Sequence, residues 1–164
     1  MIDKDVKRGD DVVIHNPDQV NIFGCEIGDR SFIGPFVEIT RGVVIGPDCK
    51  IESHSFICTD VTLENNVFIG HGVMFTNDLY PRTDRHVIYL PVNVGAYASI
   101  GSNATIVAGI DIGEHAIIGA GAVVTKSVPA YSIVAGNPAR VIRQFEGLSE
   151  LKSYVREKQQ TSLP

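Results

Sequence analysis

Residues 76–91 read TNDLYPRTDRHVIYLP and gather Asn77, Asp78, Arg82, Asp84, Arg85 and His86 into one short stretch. An amide such as Asn77 can orient a polar substrate by hydrogen bonding. A carboxylate such as Asp78 can take up a proton or hold an ammonium ion, and an imidazole titrates near neutrality. The stretch reads equally as an active-site or interface loop and as a neutral excursion. His71, a few residues earlier, is a further candidate base or else a structural turn residue. Cys25, Cys49 and Cys58 are three in number and form no CxxC pair. Neither a disulfide scaffold nor a zinc knuckle is indicated, and reduced core thiols are expected.

The chain around these residues has 164 residues, 44% hydrophobic and 20% charged, with a net charge of −5. That composition suits one folded domain with a real core. Lys and Arg number 14 against 19 for Asp and Glu, with no basic run, so a nucleic-acid partner is not expected. The chain lacks a stretch of eighteen apolar residues, and it opens on the charged MIDKDVKRGDD. Membrane insertion and secretion are therefore not expected, and the cytoplasm is the expected location.

A strict period of six organises most of the chain. Counting from Ile27, the positions are Ile33, Ile39, Ile45, Ile51, Ile57, Leu63, Ile69 and Phe75; a second register runs Val94, Ile100, Ile106, Ile112, Ile118 and Val124. Two residues before each stands a small or β-branched residue, such as Cys49, Ser55 or Ala104. The position after it is often Gly, as at 28, 34, 46, 70, 95, 101, 113 and 119, which suggests corners needing freedom in φ. Helices repeat near 3.6 and hairpins break irregularly, so neither keeps a period of six. Short strands joined by regular corners do. Three units then close one triangular coil, and coils stack at the inter-strand spacing of about 4.8 Å. About five such coils are expected over residues 20–130, with residues 1 to about 20 covering one end. After Val124, SVPAYSIVAGNPARVIRQF predicts irregular or extended chain. Phe145, Leu148, Leu151, Tyr154 and Val155 then predict a short amphipathic C-terminal helix, so extension and helix together occupy about 131–160. The period breaks after Phe75 and resumes at Val94 instead of 81, which makes residues 76–91 an inserted loop. Solenoid insertions often carry binding.

The repeats, the single loop and the ending IGAGAVVTKSVPAYSIVAGNPARVI resemble the hexapeptide-repeat acyltransferases. The resemblance implies an all-β solenoid, a left-handed parallel β-helix, with acetyl-CoA as acetyl donor and assembly as a homotrimer. Its handedness comes from the resemblance, since the general crossover rule favours right-handed connections. The segments PDQVNIFGCEIGD and VFIGHGVMFTND are most similar to nucleotide-sugar N-acetyltransferases. They imply acetylation of an amino group on a nucleotide-linked deoxysugar, in bacterial surface-polysaccharide synthesis. By the same resemblance Ser102 and Ala120, one coil apart in the repeat, are expected to contact pantetheine. Thr125, Lys126, Arg140 and Arg143 are expected near the CoA phosphates, where their charge would offset that of the nucleotide.

O-acetyltransferases of this family place a His just after the equivalent of Phe75, whereas this chain has Thr76, Asn77 and Asp78 there. The difference favours an amine, which is substantially unprotonated near neutrality, over a hydroxyl. Asn77, Asp78 and His71 are the candidate catalytic residues, and His86 is a loop imidazole able to reach the site. His15, His54 and His115 are expected at corners or on the surface. Three rivals remain: a sugar O-acetyltransferase of the same fold, a γ-type carbonic-anhydrase-like zinc enzyme, and a non-catalytic β-helix. The zinc reading needs three converging imidazoles, which the histidine spacing does not supply, and no metal is expected.

Overall fold

The six-residue units fold as short parallel strands on three faces of a column, in a computed structural model that describes residues 1–83 and 88–161. The first face includes Glu26–Ile27, Val44–Ile45, Val61–Leu63, Val92–Val94 and Asp111–Ile112. The second includes Phe32–Ile33, Lys50–Ile51, Phe68–Ile69, Ser99–Ile100 and Ile117–Ile118. The third includes Glu38–Ile39, Phe56–Ile57, Met74–Phe75, Thr105–Ile106 and Val123–Val124. Ile33 pairs with Ile51, Ile69 with Ile100, and Ile106 with both Phe75 and Val124. The fold is a parallel β-solenoid of about seven turns with one short C-terminal helix.

Like residues stack because each strand presents the same register position to the coil above. All fifteen periodic positions lie at 2% exposure or less. The small or β-branched residue two places earlier also points inward, from Cys25 through Ala122. Two polar members of that column are satisfied internally: Ser31 Oγ donates to Gly46 O at 3.0 Å and Ser55 Oγ to Gly70 O at 2.9 Å. Removing one large rung would leave a cavity and cost about 2–5 kcal/mol.

The glycine column has a different cause from the one the sequence suggested. A Cβ on Gly101 would stand 2.6 Å from Ala120 N, and one on Gly70 would stand 2.7 Å from Ser102 N. Space between coils requires these glycines. The left-handed φ falls two residues later and is taken mostly by larger residues, such as Phe36, Asp48, Tyr97, Asn103 and His115.

Winding extends beyond both ends of the periodic register. Lys7–Arg8 pairs with Glu26–Ile27 and Val13–Ile14 with Phe32–Ile33, so residues 1–20 form a further turn and not a separate cover. Counting in sixes misses this turn because Ile14 and Ile22 lie eight residues apart, around a 3-10 turn at Pro17–Gln19, and Ile22 and Ile27 only five. At the other end Val128 bridges Ile112 and Val134 pairs with Ile118, both valines buried. Ser132–Ala135 then turns back into an antiparallel partner, Arg140–Gln144. The helix Leu148–Thr161 follows, with Leu151 and the preceding Phe145 buried. Among the described residues no helix is long and apolar enough to cross a membrane.

Candidate functional site

Strand Met74–Phe75 on the third face separates two corners, and the candidate residues divide between them. His71 lies just before the strand and Asn77 just after it. His71 and Gly72 form the turn at one corner and Asn77 stands in the bend after the strand, so within one chain the two residues belong to different edges of the column.

The edge after the strand carries the inserted loop. Thr76 N donates to Ile106 O at 2.9 Å, and Ala108 N donates to Thr76 Oγ1 at 3.0 Å. Asn77 fixes both ends of the excursion: its carbonyl accepts from Leu90 N at 2.9 Å, and its Nδ2 lies 3.5 Å from Thr59 O. Asp78 Oδ1 accepts from Tyr80 N at 2.8 Å, a local turn that leaves the second carboxylate oxygen for another partner. Leu79, Tyr80, Ile88 and Tyr89 are exposed beyond this root. Asp84, Arg85 and His86 lie outside the described residues.

By register the same edge continues from Asn77 through Ala108 to Lys126, two coils or about 10 Å away. Lys126 and Arg140 share the lining of a cavity of about 210 Å³ with Ser127, Val128, Ala139 and Val141. Thr125 is exposed beside them. Arg143 stands apart from this group: its guanidinium lies 4.5 Å from the Tyr154 ring centroid and 5.3 Å from that of Phe145. It ties the last strand to the helix.

The edge before the strand stacks Ser53, His71, Ser102 and Ala120 in successive coils. Their carbonyls are held by the next coil: Gly72 N donates to Ser53 O at 2.9 Å, Asn103 N to His71 O at 2.7 Å and Gly121 N to Ser102 O at 2.8 Å. The amide N–H groups of Ser102 and Ala120 find no acceptor among the described residues. Two donors one coil apart are available to an extended, amide-bearing ligand.

His71 is held from the coil below. Its Nδ1 lies 2.9 Å from Ser53 Oγ, and its Nε2 lies 3.9 Å from Glu52 Oε2. Glu52 is well covered, at 17% side-chain exposure, and its other oxygen meets Lys50 Nζ at 2.6 Å. The sequence reading missed Glu52 and Ser53, although a signal existed. On this corner Gly34, Gly70, Gly101 and Gly119 occupy one column, and Glu52 alone interrupts it.

His54 and His115 pack against aromatic neighbours. His54 lies 4.7 Å from Phe36, and His115 stacks between Tyr97 and Tyr131 at 4.7 and 5.5 Å. Burial holds His115 below the usual imidazole pKa, with Lys152 adding to the effect and Glu114 opposing it. Cys25, Cys49 and Cys58 are free and buried, and burial pushes the Cys25 and Cys58 thiols up to about 11. Among the described residues no group of three or more His, Cys, Asp or Glu is placed to hold a metal ion.

The periodic segment matches known families. Residues 42–77 and 91–126 match the bacterial transferase hexapeptide model, and residues 25–54 match the hexapeptide repeat of succinyl-transferase. The first match pauses at the inserted loop. Galactoside O-acetyltransferase from Escherichia coli (strain K12) is 32% identical over 128 residues, covering 73% of this chain and 63% of that one. The chain spans between 25% and 63% of the length of its curated relatives, among which are both O- and N-acetyltransferases. A crystal structure of a hexapeptide-repeat-containing acetyltransferase from Vibrio cholerae O1 biovar eltor, complexed with acetyl coenzyme A, superposes with a TM-score of 0.68. It is 26% identical, covering 76% of this chain and 73% of that one. A variant of AntD, an N-acyltransferase from Bacillus cereus in complex with dTDP and coenzyme A, shares the fold with a TM-score of 0.74. It is 20% identical, covering 93% of this chain and 91% of that one.

Proposed function

This chain belongs to the bacterial hexapeptide-repeat transferases, and from that premise we propose that it is a cytoplasmic, acetyl-CoA-dependent N-acetyltransferase. Its acceptor would be the amino group of a nucleotide-linked deoxysugar of the kind built into bacterial surface polysaccharides. The free N–H groups of Ser102 and Ala120 supply donors for pantetheine along one edge. Lys126 and Arg140, beside Thr125, supply cations for the CoA phosphates.

The observation that carries the reading is the placement of the imidazole. The loop root is Thr76–Asn77–Asp78, with no His directly after Phe75, while His71 stands on the donor edge one coil from Ser102. An imidazole there meets the end of a pantetheine arm lying along Ser102 and Ala120, where a thioester would sit. The step asked of it is removal of a proton from an amine as it attacks the acetyl carbonyl, which needs less help than a hydroxyl does. AntD, of the same fold, has been crystallised with both a dTDP and coenzyme A.

Asn77 and Asp78 cannot meet His71 within one chain. A homotrimer brings the loop of one chain against the donor edge of the next, where Asn77 orients the sugar and Asp78 holds the incoming ammonium form before it is deprotonated. The exposed Leu79, Tyr80, Ile88 and Tyr89 give that loop an apolar surface to bury. The test is a thiol-release screen of purified protein with acetyl-CoA and nucleotide sugars. A 3- or 4-amino sugar is acetylated and its hydroxyl analogue is not; turnover of the hydroxyl analogue alone would make the protein an O-acetyltransferase.

A further inference from the structure

We propose that Glu52 and His71 form a paired acceptor that selects an amine over a hydroxyl, a claim that rests on the N-acetyltransferase reading and names the residues behind it. The two acceptor atoms, His71 Nε2 and Glu52 Oε2, stand 3.9 Å apart. A single nitrogen seated about 2.9 Å from each, within ordinary hydrogen-bond range, closes a triangle on that base. A primary amine fits this position because it has two N–H groups, one for each acceptor. With both hydrogens held, its lone pair points away from the pair and is free for attack.

The other polar atoms of both side chains have partners of their own. Lys50 Nζ lies 2.6 Å from Glu52 Oε1, which leaves Oε2 as the free acceptor. Ser53 Oγ lies 2.9 Å from His71 Nδ1, and in the tautomer that donates Nδ1–H to this hydroxyl the ring lone pair is on Nε2. A hydroxyl in the same position has one hydrogen for two acceptors. Its oxygen lone pairs would face either the imidazole nitrogen or a carboxylate oxygen, so one of the two acceptors gets no hydrogen bond from the substrate.

In the transfer, the amine nitrogen forms a bond to the acetyl carbon as the carbon–sulfur bond breaks, and the thiolate leaves with its electron pair. The nitrogen loses one proton to His71 Nε2, and the imidazolium returns it to the thiolate. Glu52 keeps its hydrogen bond to the remaining N–H, so it holds the amine through the step without exchanging a proton.

The experiment compares wild type with Glu52→Gln, using an amino nucleotide sugar and its hydroxyl analogue at saturating acetyl-CoA. Loss of one charged hydrogen bond should lower kcat/KM for the amine by about 10–100-fold, while KM for acetyl-CoA stays within about twofold. Unchanged amine turnover in folded Glu52→Gln overturns the proposal. A second arm reads binding alone, by calorimetry on wild type and Glu52→Gln, each loaded with CoA. A preference for the amine of about tenfold that Glu52→Gln loses supports the pair, and equal affinity for amine and hydroxyl in wild type, or a preference unchanged in Glu52→Gln, overturns it. If wild type acetylates no amine, the functional reading fails, and the binding arm still decides the role of Glu52.

Discussion

Replacing Lys126 and Arg140 by methionine isolates the cofactor half of the account. Both are exposed, both line the same cavity, and neither makes an ion pair among the described residues. Methionine retains most of the apolar stem, so the change is chiefly one of charge. A charge-assisted hydrogen bond contributes about 1.5–3 kcal/mol when shielded, and solvent exposure reduces that to about 1 kcal/mol per contact. At about 1.4 kcal/mol per tenfold, each single variant should raise KM for acetyl-CoA about fivefold, and the pair together about 25-fold. Acetylation itself does not use these cations, so kcat should stay within about twofold. Initial rates against acetyl-CoA concentration, read by thiol release at low and high salt, measure this. Screening should shrink the gap between wild type and variant as salt rises. An unchanged KM in the double variant at low salt, or a loss confined to kcat, would refute the phosphate assignment.

Other consequences are as direct. Arg143→Met should leave KM for acetyl-CoA unchanged while lowering Tm, because its guanidinium stacks on Tyr154 and Phe145 and lies away from the Lys126 cavity; a cofactor defect would return Arg143 to the phosphate site. Gly101→Ala should destabilise the protein by about 1–3 kcal/mol in thermal melts, since the new methyl would press on Ala120 N of the next coil; wild-type stability would show that the coils separate freely. Asn77→Ala should lower turnover far more than Thr83→Ala, and equal negligible effects would remove the loop root from the mechanism. Native Cys25 and Cys58 should resist alkylation at pH 8, because burial holds both thiols near a pKa of about 11. Their raised pKa also makes stability full below the ordinary thiol range and lost as the pH climbs toward 11; stoichiometric labelling of the folded protein at pH 8 would contradict this.

The interior was legible in the sequence because one physical constraint repeats at every coil. Ile27 through Val124 had to be apolar to fill the column, and each is buried. The ends were harder to read. Ile14 and Ile22 align with the coil above them although their spacing departs from six, because a 3-10 turn absorbs two residues without disturbing strand pairing. The glycines were visible but their cause was not: composition cannot separate a need for positive φ from a need for space, and only the approach of Ala120 N to Gly101 decides it. The candidate site was legible in parts. Ser102, Ala120 and His71 share an edge, as their place in the repeat implied, and Lys126 and Arg140 line one cavity. Arg143 lies elsewhere because alternation along Arg140–Gln144 and a register shift turn it toward the helix. The division of His71 from Asn77 between two edges follows from counting strands, yet it matters only when the site is built as a volume in space.

The central claim is that one site draws on two chains, the donor edge of one and the loop root of another. Mixing is the direct measurement: His71→Ala and Asn77→Ala chains, each inactive as a homomer, are co-assembled in equal amounts and assayed for acetyl transfer. In a random trimer a site is intact when its His71 comes from one variant and its Asn77 from the other, which restores about a quarter of wild-type turnover. Activity that never exceeds the two separate variants would contradict the claim.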